Sequence, residues 1–192
     1  MGKEFELKFA ATEAQQAAVA EVFGIFTPIS METTYYDTPR GELSARYITL
    51  RRRFENGISV CTVKTPGDGF TKGEWEVEWD DINTAIPMLC KLGCPEEVAA
   101  LTQSGITPIC GARFTRQAKT IDAPGCTVEL ALDKGILLGG GKETPLCEIE
   151  VELKSGEPEA AVAFAEKLAA RFDLTPLKTS KFRRALALAK GE

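Results

Sequence analysis

Two short stretches near opposite ends of the chain alternate charge with apolar side chains: Glu4-Phe5-Glu6-Leu7-Lys8 and Glu148-Ile149-Glu150-Val151-Glu152. On a β-strand, residues i, i+2 and i+4 point to one face. Each stretch therefore carries three charges on one side and apolar residues on the other. The pattern recurs along the chain. Arg51 and Arg53 share a face, as do Thr62 with Lys64, Glu129 with Asp133, and Lys181 with Arg183. Glu74, Glu76 and Glu78 lie opposite Trp75, Val77 and Trp79, and either Arg113 or Arg116 adds a further cation. Any one of these faces taken alone reads as an ordinary solvated surface. Together they are different, because Phe5, Leu7, Phe9, Ile149, Val151, Leu153, Trp75 and Trp79 all need cover, and amphipathic helices are available to supply it. A sheet packed outward against helices puts its charged face inside. The expected fold is α+β: a closed antiparallel β-barrel of about eight strands forming a charged tunnel, with helices on the outside, in one domain spanning 1–192.

The local signals fill in that frame. Residues 3–10 read as a strand, and Thr12 caps a helix from Glu13 to about Phe23 that uses Ala14, Ala17, Ala18, Val19 and Val22 as its apolar and small positions. Met31–Asp37 and Tyr47–Phe54 read as strands, with Pro39-Arg40-Gly41 as a turn between them. Asn56-Gly57 is a hairpin signal returning into Ile58–Lys64. A loop at Pro66-Gly67-Asp68-Gly69 leads to a strand over Lys72–Trp79. Asp81 opens a helix through Leu92, and Pro95-Glu96-Glu97 opens another that ends near Ser104-Gly105. Strands return over Ile109–Ile121, Cys126–Leu132 and Cys147–Leu153, the last two separated by a flexible loop at Gly139-Gly140-Gly141. Pro158 begins a helix over about 159–172. Thr179–Ala189 fits strand and helix equally.

Several function classes drop out. The chain has no histidine, which removes Ser-His-Asp and Cys-His hydrolysis as usually built. Its net charge of −5 argues against general nucleic-acid binding. No apolar run reaches the roughly 20 residues of a membrane span, and the start runs straight into a strand pattern, so no signal peptide is expected. The six cysteines (Cys61, Cys90, Cys94, Cys110, Cys126, Cys147) match no disulfide framework or zinc spacing and read as reduced thiols of a cytoplasmic protein. What remains is carboxylate, Lys, Arg and hard-metal chemistry, for which oxygen ligands favour Mg²⁺ or Mn²⁺. Carboxylates crowded inside a barrel repel one another unless cations neutralise them, and interleaved Arg and Lys suit a phosphate chain.

This constellation resembles the CYTH superfamily, the triphosphate tunnel metalloenzymes. The residues that carry the likeness are Glu4-Phe5-Glu6-Leu7-Lys8, Tyr35-Tyr36-Asp37-Thr38, Leu50-Arg51-Arg52-Arg53, Thr62-Val63-Lys64-Thr65, Glu129 to Gly135, Glu148 to Glu152, and Ser180-Lys181. Phe114-Thr115-Arg116 and Pro145-Leu146-Cys147-Glu148 are similar to the bacterial inorganic triphosphatase branch. Many members of that branch carry a second, His-rich helical CHAD domain, so this chain is expected to be a stand-alone member or an excised domain. Lys72 is expected to substitute for an Arg that often precedes the Glu of its strand.

The resemblance implies a function and a division of labour. Lys8, Arg51, Arg53, Lys64, Arg116, Lys181 and Arg183 would contact phosphate oxygens. Glu4, Glu6, Glu148 and Glu150 would hold a first Mg²⁺ or Mn²⁺. Asp133, Glu152 and Glu76 or Glu129 would position a second ion and the attacking water. The implied partner is tripolyphosphate, cleaved to pyrophosphate and phosphate, with no nucleic acid and no membrane. Thiamine triphosphate or a nucleoside triphosphate as substrate, a class IV adenylyl cyclase, and a non-catalytic polyphosphate binder stay open, as does a homodimer. An organic substrate would need an aromatic or apolar platform at a tunnel mouth, and the parity of Trp75 and Trp79 directs both to the core. By the same parity Arg52 points outward, while Lys178 and Arg184 read as surface residues.

Overall fold

The structure is a computed structural model that describes residues 2–67 and 71–192. Asp68 and Gly69 of the expected loop lie outside the described residues. Eight long strands are arranged in antiparallel register: β1 (Gly2–Ala10), β2 (Thr27–Asp37), β3 (Thr49–Glu55), β4 (Ile58–Thr65), β5 (Thr71–Glu78), β6 (Thr107–Ala123), β7 (Cys126–Gly139) and β8 (Lys142–Gly156). They run in the order β5-β4-β3-β2-β6-β7-β8-β1, and β1 also pairs with β5, which closes the barrel. The closing seam is short, with register pairs from Gly2↔Glu74 to Phe5↔Thr71. A two-residue strand, β9 (Thr175–Pro176), flanks the other half of β1.

Alternation decides which face is which. Phe5, Leu7 and Phe9 of β1 point outward with Leu130, Leu132, Ile149 and Val151, and they pack against α1 (Glu13–Phe23) and α5 (Pro158–Phe172) through Val19, Ala161, Ala165 and Leu168. On the far side, Leu50, Cys61, Val63 and Trp75 pack against α2 (Glu42–Ala45), α3 (Ile82–Lys91) and α4 (Glu96–Thr102). The charged residues between these positions are thereby turned into the lumen. α1 carries the expected Thr12 capping box. Its buried face centres on Gln16 and Val19, whereas Val22 is half-exposed. Gln16 is buried because its Nε2 donates to the backbone oxygens of Asp133 and Glu148, at 3.0 and 2.9 Å. Trp79 departs from expectation as well. β5 ends at Glu78, so Trp79 leaves the core face, and its exposed indole donates to Thr84 Oγ1.

The undecided C-terminal segment is a helix, α6 (Lys181–Lys190), capped by Ser180. It lies on a different face from the other helices. Its buried Ala185 packs with Met31, Ala112, Phe114, Leu137 and Leu146, which share strand parity with the lumen residues Arg116, Asp133 and Glu148. The long β6–β7–β8 arms thus curl around α6, which fills one end of the barrel. The Gly139-Gly140-Gly141 segment is a tight hairpin turn and not a flexible loop. Gly140 and Gly141 supply its two left-handed residues, at φ 58° and 74°, while Gly139 ends β7 directly against the α6 backbone, where a Cβ would meet Ala189 N at 2.6 Å. All six cysteines are free. Among the described residues, no helix is long and apolar enough to cross a membrane.

Candidate functional site in the barrel lumen

The lumen encloses a cavity of about 690 Å³. Its lining includes Lys8, Arg51, Arg53, Lys64, Arg116, Lys181 and Arg183, and the carboxylates Glu4, Glu6, Glu76, Glu129, Glu150 and Glu152. Those residues come from seven strands and α6. Asp133 and Glu148 sit behind that lining, fully buried at 0% exposure. Of the two arginine options on β6, Arg116 faces inward, while Arg113 is exposed and pairs with Glu143. Arg52 points outward as expected and donates to Asp80 O. Asp37 is structural: its buried carboxylate accepts from the N–H groups of Thr38, Leu43 and Ser44 and from the Ser44 hydroxyl, fixing α2.

The charges divide into two groups along the tunnel. In the deep group, ligand oxygens of Asp133, Glu148 and Glu150 lie within 4.8 Å of one another. Three cations already compensate them. Arg116 forks onto Asp133 and reaches Glu150, Lys181 contacts all three carboxylates, and Arg184 pairs with Glu148. Burial opposes ionisation of Glu150, yet Lys181, Arg116 and Lys8 hold its carboxyl well below the usual range. Glu148 is pushed up instead, by burial and by Glu150, against the pull of Lys181 and Arg184. Lys181 is buried, but Glu150, Asp133 and Glu148 keep it firmly protonated.

In the second group, Lys64 bridges Glu4 and Glu74, and Arg51 reaches Glu74 and Glu76 at 3.5 and 3.6 Å. Glu6 accepts from Lys8 at 2.7 Å and Lys72 at 3.0 Å. Lys154 bonds Glu152 at 2.8 Å and approaches Glu129. Register sets Glu6, Glu152 and Glu129 side by side across β1, β8 and β7. Burial pushes the Glu152 carboxyl up, and neighbouring Glu4 and Glu129 add to it against Lys154. Glu4 Oε2 is buried with no hydrogen-bond partner among the described residues. Hard oxygen donors, one of them orphaned and another crowded by like charge, fit a divalent cation.

Of the carboxylates expected around a first metal, Glu148 and Glu150 lie together in the deep group, and Glu6 lies near enough to Glu150 to be pushed up by it. Glu148 lies opposite Ala10, six residues and roughly 20 Å of strand from Glu4. Glu4 and Glu6 instead share their end of the lumen with Glu129 and Glu152. Arg184, read as a surface residue, is drawn into the deep group, and Lys178 lies exposed at the rim of the cavity. Lys154, not singled out from the sequence, lines the lumen on the same alternation as Glu150 and Glu152. Glu55, also on the wall, pairs with Arg53.

Arg51, Arg53 and Arg116 all line the cavity. Burial pushes the Arg53 guanidinium down, and so do Arg51 and Arg116, although Glu55 and Glu76 oppose them. Nε of Arg51 and of Arg53 is buried without an acceptor among the described residues. Arg53, disfavoured by its cationic neighbours, and donors left without acceptors suit a polyanion.

Known proteins match the chain on both sequence and fold. It is 28% identical over 199 residues to an inorganic triphosphatase of Haemophilus influenzae, and it spans 56% of that protein's length. A solved structure of a proposed adenylate cyclase from Bacillus halodurans superposes with TM-score 0.67 at 20% identity, covering 94% of this chain and 96% of that one. A Hippeastrum protein, described as a proposed adenylyl cyclase with a dominant triphosphatase activity, superposes at 0.63 with 16% identity, covering 100% of this chain and 96% of its own. At those identities the two structures speak to the fold. The CYTH domain model matches residues 2–186, nearly the whole chain, and the chain belongs to the CYTH domain family.

Proposed function

We propose that this chain hydrolyses inorganic triphosphate to pyrophosphate and phosphate in the barrel lumen, with Mg²⁺ or Mn²⁺ as cofactor. The observation that carries the reading is the set of arginines, Arg51, Arg53 and Arg116, that line one enclosed cavity with a row of carboxylates. The arginine wall suits a linear polyanion, and the carboxylate wall would hold a divalent ion beside it. The likeness to the Haemophilus influenzae inorganic triphosphatase supports the choice of substrate.

Arg51, Arg53, Arg116, Lys8 and Lys64 grip the non-bridging oxygens, with Lys72 and Lys154 able to join them from the same wall. Lys181 and Arg183 extend the basic surface toward α6. Glu4, Glu6, Glu129 and Glu152 would hold the divalent ion, which when bound neutralises phosphate charge and acidifies a water. Glu76 and Glu129 orient the attacking water toward the terminal phosphorus. The new P–O bond forms as the bond to the bridging oxygen breaks, and the guanidinium groups take up charge on the departing pyrophosphate.

Phosphate release from tripolyphosphate tests this, with Mg²⁺ or Mn²⁺, with a chelator, and with Glu4→Gln. Turnover that disappears in both of the last two conditions is expected. Tight binding of tripolyphosphate with no phosphate released would overturn the hydrolase reading in favour of a binding module, or of a cyclase to be assayed for cyclic AMP.

A further inference from the structure

The geometry points to a second anion site, separate from the lumen, where the turn after β2, the start of β6 and one face of α6 meet. It takes a small polyvalent anion of the pyrophosphate kind. The site would exist whatever the lumen binds.

A cavity of about 410 Å³ opens there. Three cations line it from different parts of the fold: Arg40 in the turn after β2, Arg183 in the first turn of α6 and Lys190 at its end. Arg183, Leu186 and Lys190 stand at i, i+3 and i+7, one stripe of the helix, which sets the two charges roughly 10 Å apart along it. Among the described residues the one carboxylate in the lining is Asp37. It is fully engaged, accepting from the N–H groups of Thr38, Leu43 and Ser44 and from the Ser44 hydroxyl. None of the three cations pairs with an acid among the described residues. Arg183 donates to Ser44 O at 3.0 Å and lies 4.4 Å from the Tyr47 ring centroid, and neither contact brings a compensating charge.

The lumen is built the other way. Arg51, Arg53, Lys64, Arg116 and Lys181 each already hold a carboxylate there. In a chain of net charge −5, a cavity with three cations and no available acid is a local reversal of sign. Cations gathered without a counter-charge repel one another, and a polyvalent anion relieves them. The helix dipole accounts for Lys190 at the C-terminal end of α6, but it disfavours Arg183 in the first turn. Leu186 is buried and Ile109 half-buried, so a ligand in this cavity meets mainly charge. Arg40 and Lys190 are exposed and able to swing onto it, while Arg183 is held in place beforehand by Ser44. Pyrophosphate, a product of the hydrolysis proposed above, belongs to the class of anion that fits.

Isoleucine methyl NMR separates the two cavities in one titration, because Ile109 lines the outer cavity and Ile29 lines the lumen. The full chain is titrated with pyrophosphate in the presence of a chelator, and the Ile109 methyl should shift and saturate. In the double variant Arg40→Gln/Lys190→Gln its apparent Kd should weaken ten-fold or more, while the Ile29 response stays within two-fold. Both replaced residues are exposed, so that variant folds. Arg53→Ala should weaken the Ile29 response and leave Ile109 unchanged. An Ile109 methyl that does not move overturns the site. So does one whose response weakens only in Arg53→Ala, or one that responds equally to acetate, a monovalent anion drawn to any basic surface. A saturable Ile109 response with Ile29 silent supports the outer site whatever becomes of the lumen, and Ile29 moving with Ile109 silent leaves the lumen standing and removes the outer site.

Discussion

Arg116 meets Asp133 as a two-pronged fork, Nε donating to one carboxylate oxygen at 2.8 Å and Nη2 to the other at 2.7 Å. Asp133 has no exposed surface, and Arg116 also pairs with Glu150. Removing the arginine leaves buried carboxylates under-compensated, which costs about 3 kcal/mol. Arg116→Ala is therefore expected to lower unfolding free energy by about that amount in urea titrations. Arg113→Ala breaks an exposed pair with Glu143 and should change it by less than about 0.5 kcal/mol. Equal effects would mean that the deep cluster is not the buried network described.

Gly139 ties the hairpin turn to α6. A methyl group there would collide with the α6 backbone at Ala185 and Ala189, so Gly139→Ala must push the helix away or distort β7. A destabilisation of about 1–3 kcal/mol is expected. Because Lys181 rides on α6, activity on tripolyphosphate should fall more than the loss of folded protein explains. Circular dichroism melts paired with specific activity per folded molecule would show it, and an activity that merely tracks the folded fraction would count against the link.

Acid stability should depend on Lys8. Burial and Glu150 push the Glu6 carboxyl up, yet Lys8, Lys64 and Lys72 overcome them and hold it at about 2, against an ordinary 4.5. A depressed carboxyl contributes stability that is fully present above its unfolded pKa and lost as pH falls through the folded value. The window here runs from about 4.5 down to about 2. In the presence of a chelator, Lys8→Met should move the acid-unfolding midpoint upward within that window. An unmoved midpoint would show that Glu6 draws its stabilisation elsewhere.

Divalent ions should stabilise the fold by binding the crowded carboxylates. At a concentration of 100 Kd, the gain is about 2.7 kcal/mol, a rise in Tm of roughly 5–10 °C for a chain of this size. Glu152 is pushed up by burial and by Glu4 and Glu129, so a metal competes with its proton and the gain should shrink as pH falls. Glu4→Gln should weaken the shift. Differential scanning fluorimetry across pH reads all of this, and an identical shift in Glu4→Gln would move the metal away from that residue.

Much of the lumen was legible because strand parity is a strict rule: Glu4, Glu6, Lys8, Arg51, Arg53, Glu150 and Glu152 all alternate with outward-facing residues, and all face the cavity. The same rule, extended one step along β8, would have found Lys154. It failed where the segment was not a strand. Lys181 and Arg183 share a face at a period of two, but α6 is a helix, in which residues i and i+3 are the neighbours. Arg184 therefore joins Lys181 on Glu148, and Arg183 swings away to Tyr47. Parity also says nothing about height along the barrel. Glu4 and Glu148 looked like partners until register placed them at different levels.

The closing seam of the barrel, where Glu4 faces Lys72 across β1 and β5, has one more consequence. The strands zipped together there by so few pairs would, if parted, present two bare edges able to recruit strands from other molecules. The residues that clasp the seam from inside are the ones proposed to hold phosphate and cation. On that proposal a loaded tunnel is also a locked one, and starvation for ligand becomes a hazard to solubility.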